Sequence, residues 1–215
     1  MKLARTAWLI VVSSLFMTHL AYANEPYAGQ YELLNSPQAT NNPDKVEVLE
    51  FFWYGCPHCY YLEKNLQSWL KTKPDYVEFK RIPAVFTKTG GWAVTAKAYY
   101  TAEALDILEE IHTPFFEAIH KKKRRALKKQ EQAIQGFFAD YGVSKNRFSR
   151  TYHSFWVDTQ IGQALDMTQN YGISGVPVIF INGKYRLTSE MADGYDNMKK
   201  VLNYLIEKEY KLMAE

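Results

Sequence analysis

Cysteine is almost missing from this chain: two residues in 215. So few thiols build no framework of many disulfides, which excludes the small secreted modules stapled by several bridges. Internal repeats and low-complexity tracts are absent too. Hydrophobic residues make up 47% of the chain, enough for a sizeable core and too many for a disordered one. Past the N-terminus, no stretch is long and apolar enough to cross a bilayer. His112, His120 and His153 have no metal-ligand spacing. No aromatic platform accompanies the densest positive charge, which removes the case for nucleic acid.

What is present begins with a leader. Lys2 and Arg5 precede a mostly apolar stretch, 7–20, and Ala21-Tyr22-Ala23 has the small-x-small form of a cleavage site. This is the layout of a secretory signal peptide over residues 1–23, cleaved after Ala23. A retained anchor is the alternative, but Ser13, Ser14 and His19 interrupt a short apolar core. The remaining residues, about 190, suit one domain carrying an insertion. The expected location is an exported, oxidising compartment, where a free pair of cysteines can cycle.

The periodicity predicts a mixed fold. Residues 46–53 are apolar on both parities, as in a strand covered on both faces. A helix is expected from Pro57 to about Lys71, and a second strand over 76–82. A short edge strand fits 30–34. Helical spacing then dominates 86–157. Helices are expected over 92–108, from a Thr113 cap with Pro114 at its first position to about His120, over 130–141, and after a Ser144 cap. A further helix is expected over 158–171. Strands return at 176–181 and 184–188 around Asn182-Gly183, a hairpin signal. An amphipathic helix over 195–210 closes the chain. The sum is an α/β sheet with a helical insertion.

Both cysteines stand in Cys56-Pro57-His58-Cys59, where the first long strand runs into the first helix. A structural staple is one reading, but so small a loop contributes only about 2 kcal/mol. Zinc is another, but the motif crowds three ligands into four residues and no second pair exists. Redox chemistry fits better. Cys56 sits at a helix N-terminus, where the macrodipole and unpaired N–H groups favour a thiolate. His58 stabilises it further, and a stabilised thiolate makes the disulfide more oxidising. Cys59 lies one turn inside, within bonding reach and protected.

Glu50, on the strand before the motif, is expected to be buried with a raised pKa. It is either a proton acceptor near Cys59 or an acid neutralised by Arg81. Glu63 either lies on a solvated face or joins this acidic cluster. Farther on, Gly175-Val176-Pro177 opens an apolar strand. On base rates alone the Val176-Pro177 bond reads as trans.

Leu49-Glu50-Phe51-Phe52 before Cys56-Pro57-His58-Cys59, with Gly175-Val176-Pro177 and Phe180-Ile181-Asn182-Gly183-Lys184-Tyr185, resembles the DsbA family of periplasmic thiol:disulfide oxidoreductases. The resemblance implies a thioredoxin fold with an inserted all-helical domain, divided as 24–85, 86–157 and 158–215. It implies that Val176-Pro177 is cis and, with Gly175, offers backbone to an extended substrate. By matching position Cys56 is the attacked sulfur, Cys59 the resolving one and Glu50 the buried acid. It further implies exported protein substrates with free thiols and reoxidation by a quinone-linked inner-membrane partner of the DsbB kind. No cofactor or metal is implied, and a monomer is expected. Two rivals share the motif: a disulfide isomerase or reductase on the same fold, and a redox-inert peptide-binding chaperone.

Charge is uneven. The chain carries +3; without Lys2 and Arg5 it is +1, and setting aside the seven cations of residues 121–129 leaves −6. That run is either a solvated loop or a surface for anionic lipid or an acidic partner.

Overall fold

The structure is a computed structural model that describes residues 25–213. The expected leader and its cleavage site lie outside them. The elements run β1 (Glu32–Leu33), β2 (Val46–Phe52), α1 (Pro57–Leu70), β3 (Val77–Pro83), α2 (Gly90–Ala104) and α3 (Leu108–His120). After a 3-10 turn (Arg125–Lys128) come α4 (Glu131–Ala139), α5 (Lys145–Tyr152) and α6 (Phe155–Asn170). The chain closes with β4 (Val178–Ile181), β5 (Tyr185–Leu187) and α7 (Tyr195–Met213).

The sheet order is β1-β5-β4-β2-β3. Strand β2 is central, parallel to β3 and antiparallel to β4. All seven of its residues are buried, including Glu47 and Glu50, as expected of a strand with apolar residues on both faces. Its Val46 and Val48 join Leu62, Leu66, Val201 and Leu205 in a core against α1 and α7. Its Leu49, Phe51 and Phe52 join a second core with Tyr99 of α2, Phe116 of α3 and Ile161 of α6. The end of β2 therefore lies where sheet and helical block meet, and there the Cys-x-x-Cys begins.

Glycine and serine punctuation falls where the sequence places it. Asn182 and Gly183 have φ of 51° and 63° between β4 and β5. A Cβ on Gly183 would stand 2.1 Å from the Gln38 carbonyl oxygen, so this turn demands glycine twice over. Ser144 caps α5 by accepting the Arg147 N–H.

Two helix starts differ from expectation. Helix α3 begins at Leu108, and Pro114 lies inside it. Thr113 is no cap: its hydroxyl donates to Glu63 at 2.7 Å. Burial of Ile111, Phe115, Phe116 and Ile119 offsets the backbone hydrogen bond that Pro114 cannot make. Helix α2 accordingly stops at Ala104, short of the expected 108. Helix α6 starts at Phe155, capped by Ser154, so residue 157 falls within its first turn. Phe155 and Trp156 point outward, which hides the amphipathic period there.

Candidate functional site

The last residues of β2 and the first of α1 hold the thiols. Cys56 is the N-cap residue of α1, with Pro57 in its first turn. Cys56 is half-buried, Pro57 and His58 are exposed and Cys59 is fully buried. Both cysteines are free in this structure. As a thiol, Cys56 donates to the Val176 carbonyl oxygen at 3.3 Å. The Val176–Pro177 bond is cis, as the resemblance implies and contrary to the base-rate reading. The Tyr195 hydroxyl donates to the His58 carbonyl oxygen, tying the motif to α7.

The two sulfurs differ in acidity. A hydrogen bond from the Cys59 thiol lowers Cys56 to about 6. Partial burial opposes this, while the N–H groups of Cys59 and His58 and the His58 charge assist it. Cys59 is pushed well above the ordinary thiol range by burial, and by its neighbour Cys56. The more accessible sulfur is therefore the more acidic one.

Beneath them sits a buried charge cluster. Glu50 and Arg81 are paired in register across β2 and β3. Arg81 Nε stands 3.2 Å from Glu50 Oε2, and Arg81 Nη2 donates to Glu63 Oε2 at 3.1 Å. Glu63 also accepts from Gln67 Nε2 and the Thr113 hydroxyl, each at 2.7 Å. Two carboxylates thus share one guanidinium. Burial alone would raise Glu63, but His112, Arg81 and Thr113 hold it down to about 2. Glu50 has fewer donors; burial, only partly offset by Arg81, pushes it up to about 8. At neutral pH Glu63 is the anion and Glu50 carries a proton. Glu63 is 1% exposed, so it belongs to this cluster and not to a solvated face.

The cluster reaches the helical block. The Tyr54 hydroxyl and His112 Nδ1 are 2.7 Å apart. With the hydroxyl donating, the ring proton sits on Nε2, facing Glu63 Oε2 at 3.5 Å. Burial and Arg81 hold His112 below the usual histidine range, which fits this neutral tautomer. His120 Nε2 donates to the Tyr54 carbonyl oxygen at 2.8 Å. His112, Phe116 and His120, four residues apart on α3, thereby grip the residue two before Cys56.

Beside Cys56, the Trp53 indole stacks on Trp92 with centroids 4.3 Å apart. It also lies over Gly55, where a Cβ would come within 2.3 Å of the ring. On the other side of the motif, an open groove of about 380 Å³ is lined by His58, Gly175, Val176, Pro177, Thr188 and Ser189. Among the described residues no group of three His, Cys, Asp or Glu side chains could hold a metal ion.

The family profile described as a DSBA-like thioredoxin domain matches residues 77–206. The thiol:disulfide interchange protein DsbA of Pseudomonas aeruginosa is 39% identical over 209 residues, covering 97% of this chain and 96% of that protein. The chain belongs to the DsbA family. DsbA of Azotobacter vinelandii is 40% identical over 180 residues, covering 84% of this chain and 82% of that one. The crystal structure of Pseudomonas aeruginosa DsbA superposes with a TM-score of 0.80 at 37% identity, covering 87% of this chain and 95% of that one. DsbA from Xylella fastidiosa gives 0.76 at 30% identity, covering 83% and 94%. The fold is thioredoxin-like and the activity is that of a thiol:disulfide oxidoreductase.

Within this family member the structure gathers Cys56, Pro57, His58 and Cys59 against Gly175, Val176 and Pro177, with Glu50, Arg81 and Glu63 beneath. Sequence reasoning missed Tyr54, His112, His120 and Thr113. The polar face of α3 carried the signal, but it looked like a helix broken at Thr113.

Proposed function

We propose that this protein donates its Cys56–Cys59 disulfide to newly exported proteins in the periplasm. The observation that carries the reading is the asymmetry of the thiols: Cys56 accessible and lowered to about 6, Cys59 buried and raised. A client thiolate attacks Cys56 Sγ, the S–S bond breaks, and its electron pair leaves on Cys59. Glu50, protonated below about pH 8, supplies the proton that Cys59 takes up. A second client thiolate attacks the client sulfur of the mixed disulfide, and Cys56 leaves as the thiolate. The client loses two electrons and the protein gains them. Stabilising that thiolate favours the reduced protein, so the disulfide is readily given away.

The carbonyl of Val176, beside Pro177 and Gly175, holds the client as an added extended strand. His58 and Pro57 shape the α1 N-terminus at which the thiolate forms. Arg81 and Glu63 set the protonation of Glu50. Segments 24–85 and 158–215 act as the thioredoxin-like body, with 86–157 as its helical insertion. A quinone-linked membrane protein of the DsbB kind restores the disulfide, and the donor works as a monomer after removal of residues 1–23.

The test is a redox titration of the pair alongside two variants. Cys56→Ser is expected to abolish oxidation of a reduced test protein, and Cys59→Ala to accumulate mixed disulfides. A potential as reducing as an ordinary cytosolic reductase, or full oxidase activity in Cys56→Ser, would sink the reading.

A further inference from the structure

Residues 121–129 play no part in the thiol chemistry. Lys121, Lys122, Lys123, Arg124 and Arg125 are all exposed, and so is Lys129. Among the described residues, only Arg124 of this run has an acidic partner, Asp140 at 3.4 Å. Lys121, Lys122, Lys123, Arg125 and Lys129 face solvent without one, and Lys128 is half-buried. The turn that displays them is nevertheless well held. The Arg124 N–H donates to the Ala118 carbonyl at 2.9 Å, and Leu127 is fully buried. At position 91, a Cβ would stand 2.8 Å from the Lys128 carbonyl oxygen, so α2 and the turn meet closely.

Amphipathic rings adjoin this charge. Lys128 Nζ lies 5.9 Å from the Trp53 ring, Trp53 stacks on Trp92, and Phe86 meets Trp92 edge-on. Phe86 is 40% exposed. Lys128 and Lys123 also stand near enough to His120 to disfavour its protonation, after burial. The basic turn thus borders the same rim as Cys56.

We propose that residues 121–129, with Phe86, Trp92 and Trp53 at their edge, form a docking surface for an anionic lipid bilayer. Six exposed cations on a short turn, five of them lysine-like in having no fixed partner, match a diffuse field of headgroups. They do not match a carboxylate site, which would present oriented donors in a pocket. Phe86, 40% exposed, and the half-buried Trp92 at the border suit the interface, where a ring has one apolar and one wet side. The rest of the exported chain carries −6, so an anionic surface attracts this side and repels the remainder. Orientation follows from that opposition: the basic turn goes down, with the Trp53 rim beside it.

The test uses the chain from Asn24 onward, which contains every described element of the fold. It is sedimented with phosphatidylcholine vesicles with and without phosphatidylglycerol, at low and high salt. Binding is expected only to vesicles containing phosphatidylglycerol and is expected to fall with salt. Each basic residue near such a surface contributes about fivefold, so Lys121→Gln, Lys122→Gln and Arg125→Gln together should weaken partitioning about 100-fold. That triple variant should keep its thermal transition and its oxidation of a free dithiol peptide, since none of its positions touches the thiol site. Equal binding to both vesicle types, or equal binding by the triple variant, overturns the proposal. So does a wild-type protein that ignores vesicles yet is retained by a soluble glutamate-rich peptide, which would give the surface to an acidic protein segment.

Discussion

The Cys56 sulfur stands 3.3 Å from the Val176 carbonyl oxygen, a contact closed across 120 positions of chain. It fixes the spacing between the Cys56 sulfur and the backbone at the cis Val176–Pro177 bond. The thiol is thereby held beside the groove that Val176 and Pro177 line.

Acidity of Cys56 is open to direct titration. Alkylation of the reduced protein by iodoacetamide should be half-maximal near pH 6 and confined to Cys56, with Cys59 unreactive until unfolding. Stability should follow. Because the folded value is lowered from 9.0 to about 6, the gain to the reduced form is full near pH 9 and is lost as pH falls through 6. Above pH 9 the raised Cys59 works in the opposite sense. Melting of reduced and oxidised protein should therefore diverge between pH 6 and 9. A constant difference across that window would rule out a lowered Cys56.

Glu50 predicts the reverse dependence. Its folded value is raised from 4.5 to about 8, so stability is whole below 4.5 and declines as pH climbs to 8. Glu50→Gln removes that decline. In urea unfolding it should stabilise the protein by roughly 3 kcal/mol at pH 7 and by almost nothing at pH 4. An equal effect at both pH values would mean that Glu50 is an ordinary ionised carboxylate.

Arg81 separates buried from exposed ion pairs. Arg81→Met leaves Glu63 ionised without its guanidinium and should cost about 3–5 kcal/mol. Lys97→Met removes a shorter pair, 2.6 Å to Asp158, whose carboxylate is 57% exposed, and should cost about 0–1 kcal/mol. Comparable losses in denaturant midpoints would contradict the sharing of Arg81 by Glu50 and Glu63.

Two glycines in the left-handed region give a paired test. Gly183→Ala meets both a φ of 63° and the Gln38 carbonyl oxygen at 2.1 Å, and should cost on the order of 2–3 kcal/mol. Gly172→Ala meets only a φ of 59°, with open space around it, and should cost about 1 kcal/mol. Equal melting shifts would argue that the Gln38 approach is soft.

Much of this was readable from local pattern. The seven buried residues of β2, the cap at Ser144 and the Asn182-Gly183 turn each announce themselves within a few neighbours. Cys56 and Cys59 did so because a helix start has only one chemical face. The unread parts depend on distant partners. Thr113-Pro114 looks like a helix start, but Thr113 spends its hydroxyl on Glu63, 50 residues away. Tyr54 and His112 are 58 residues apart, and neither hints at the other. Phe155 breaks the amphipathic period of α6 because it faces outward.

Gly55 and Trp53 constrain what this chain can become. Any side chain at 55 would strike the indole at 2.3 Å, and an indole driven off would leave Trp92 without its stack and Lys128 without its ring. The two positions are one unit of variation. A side chain at 55 is accommodated either by a smaller residue at 53 or by an indole displaced from Trp92, so the two identities are coupled.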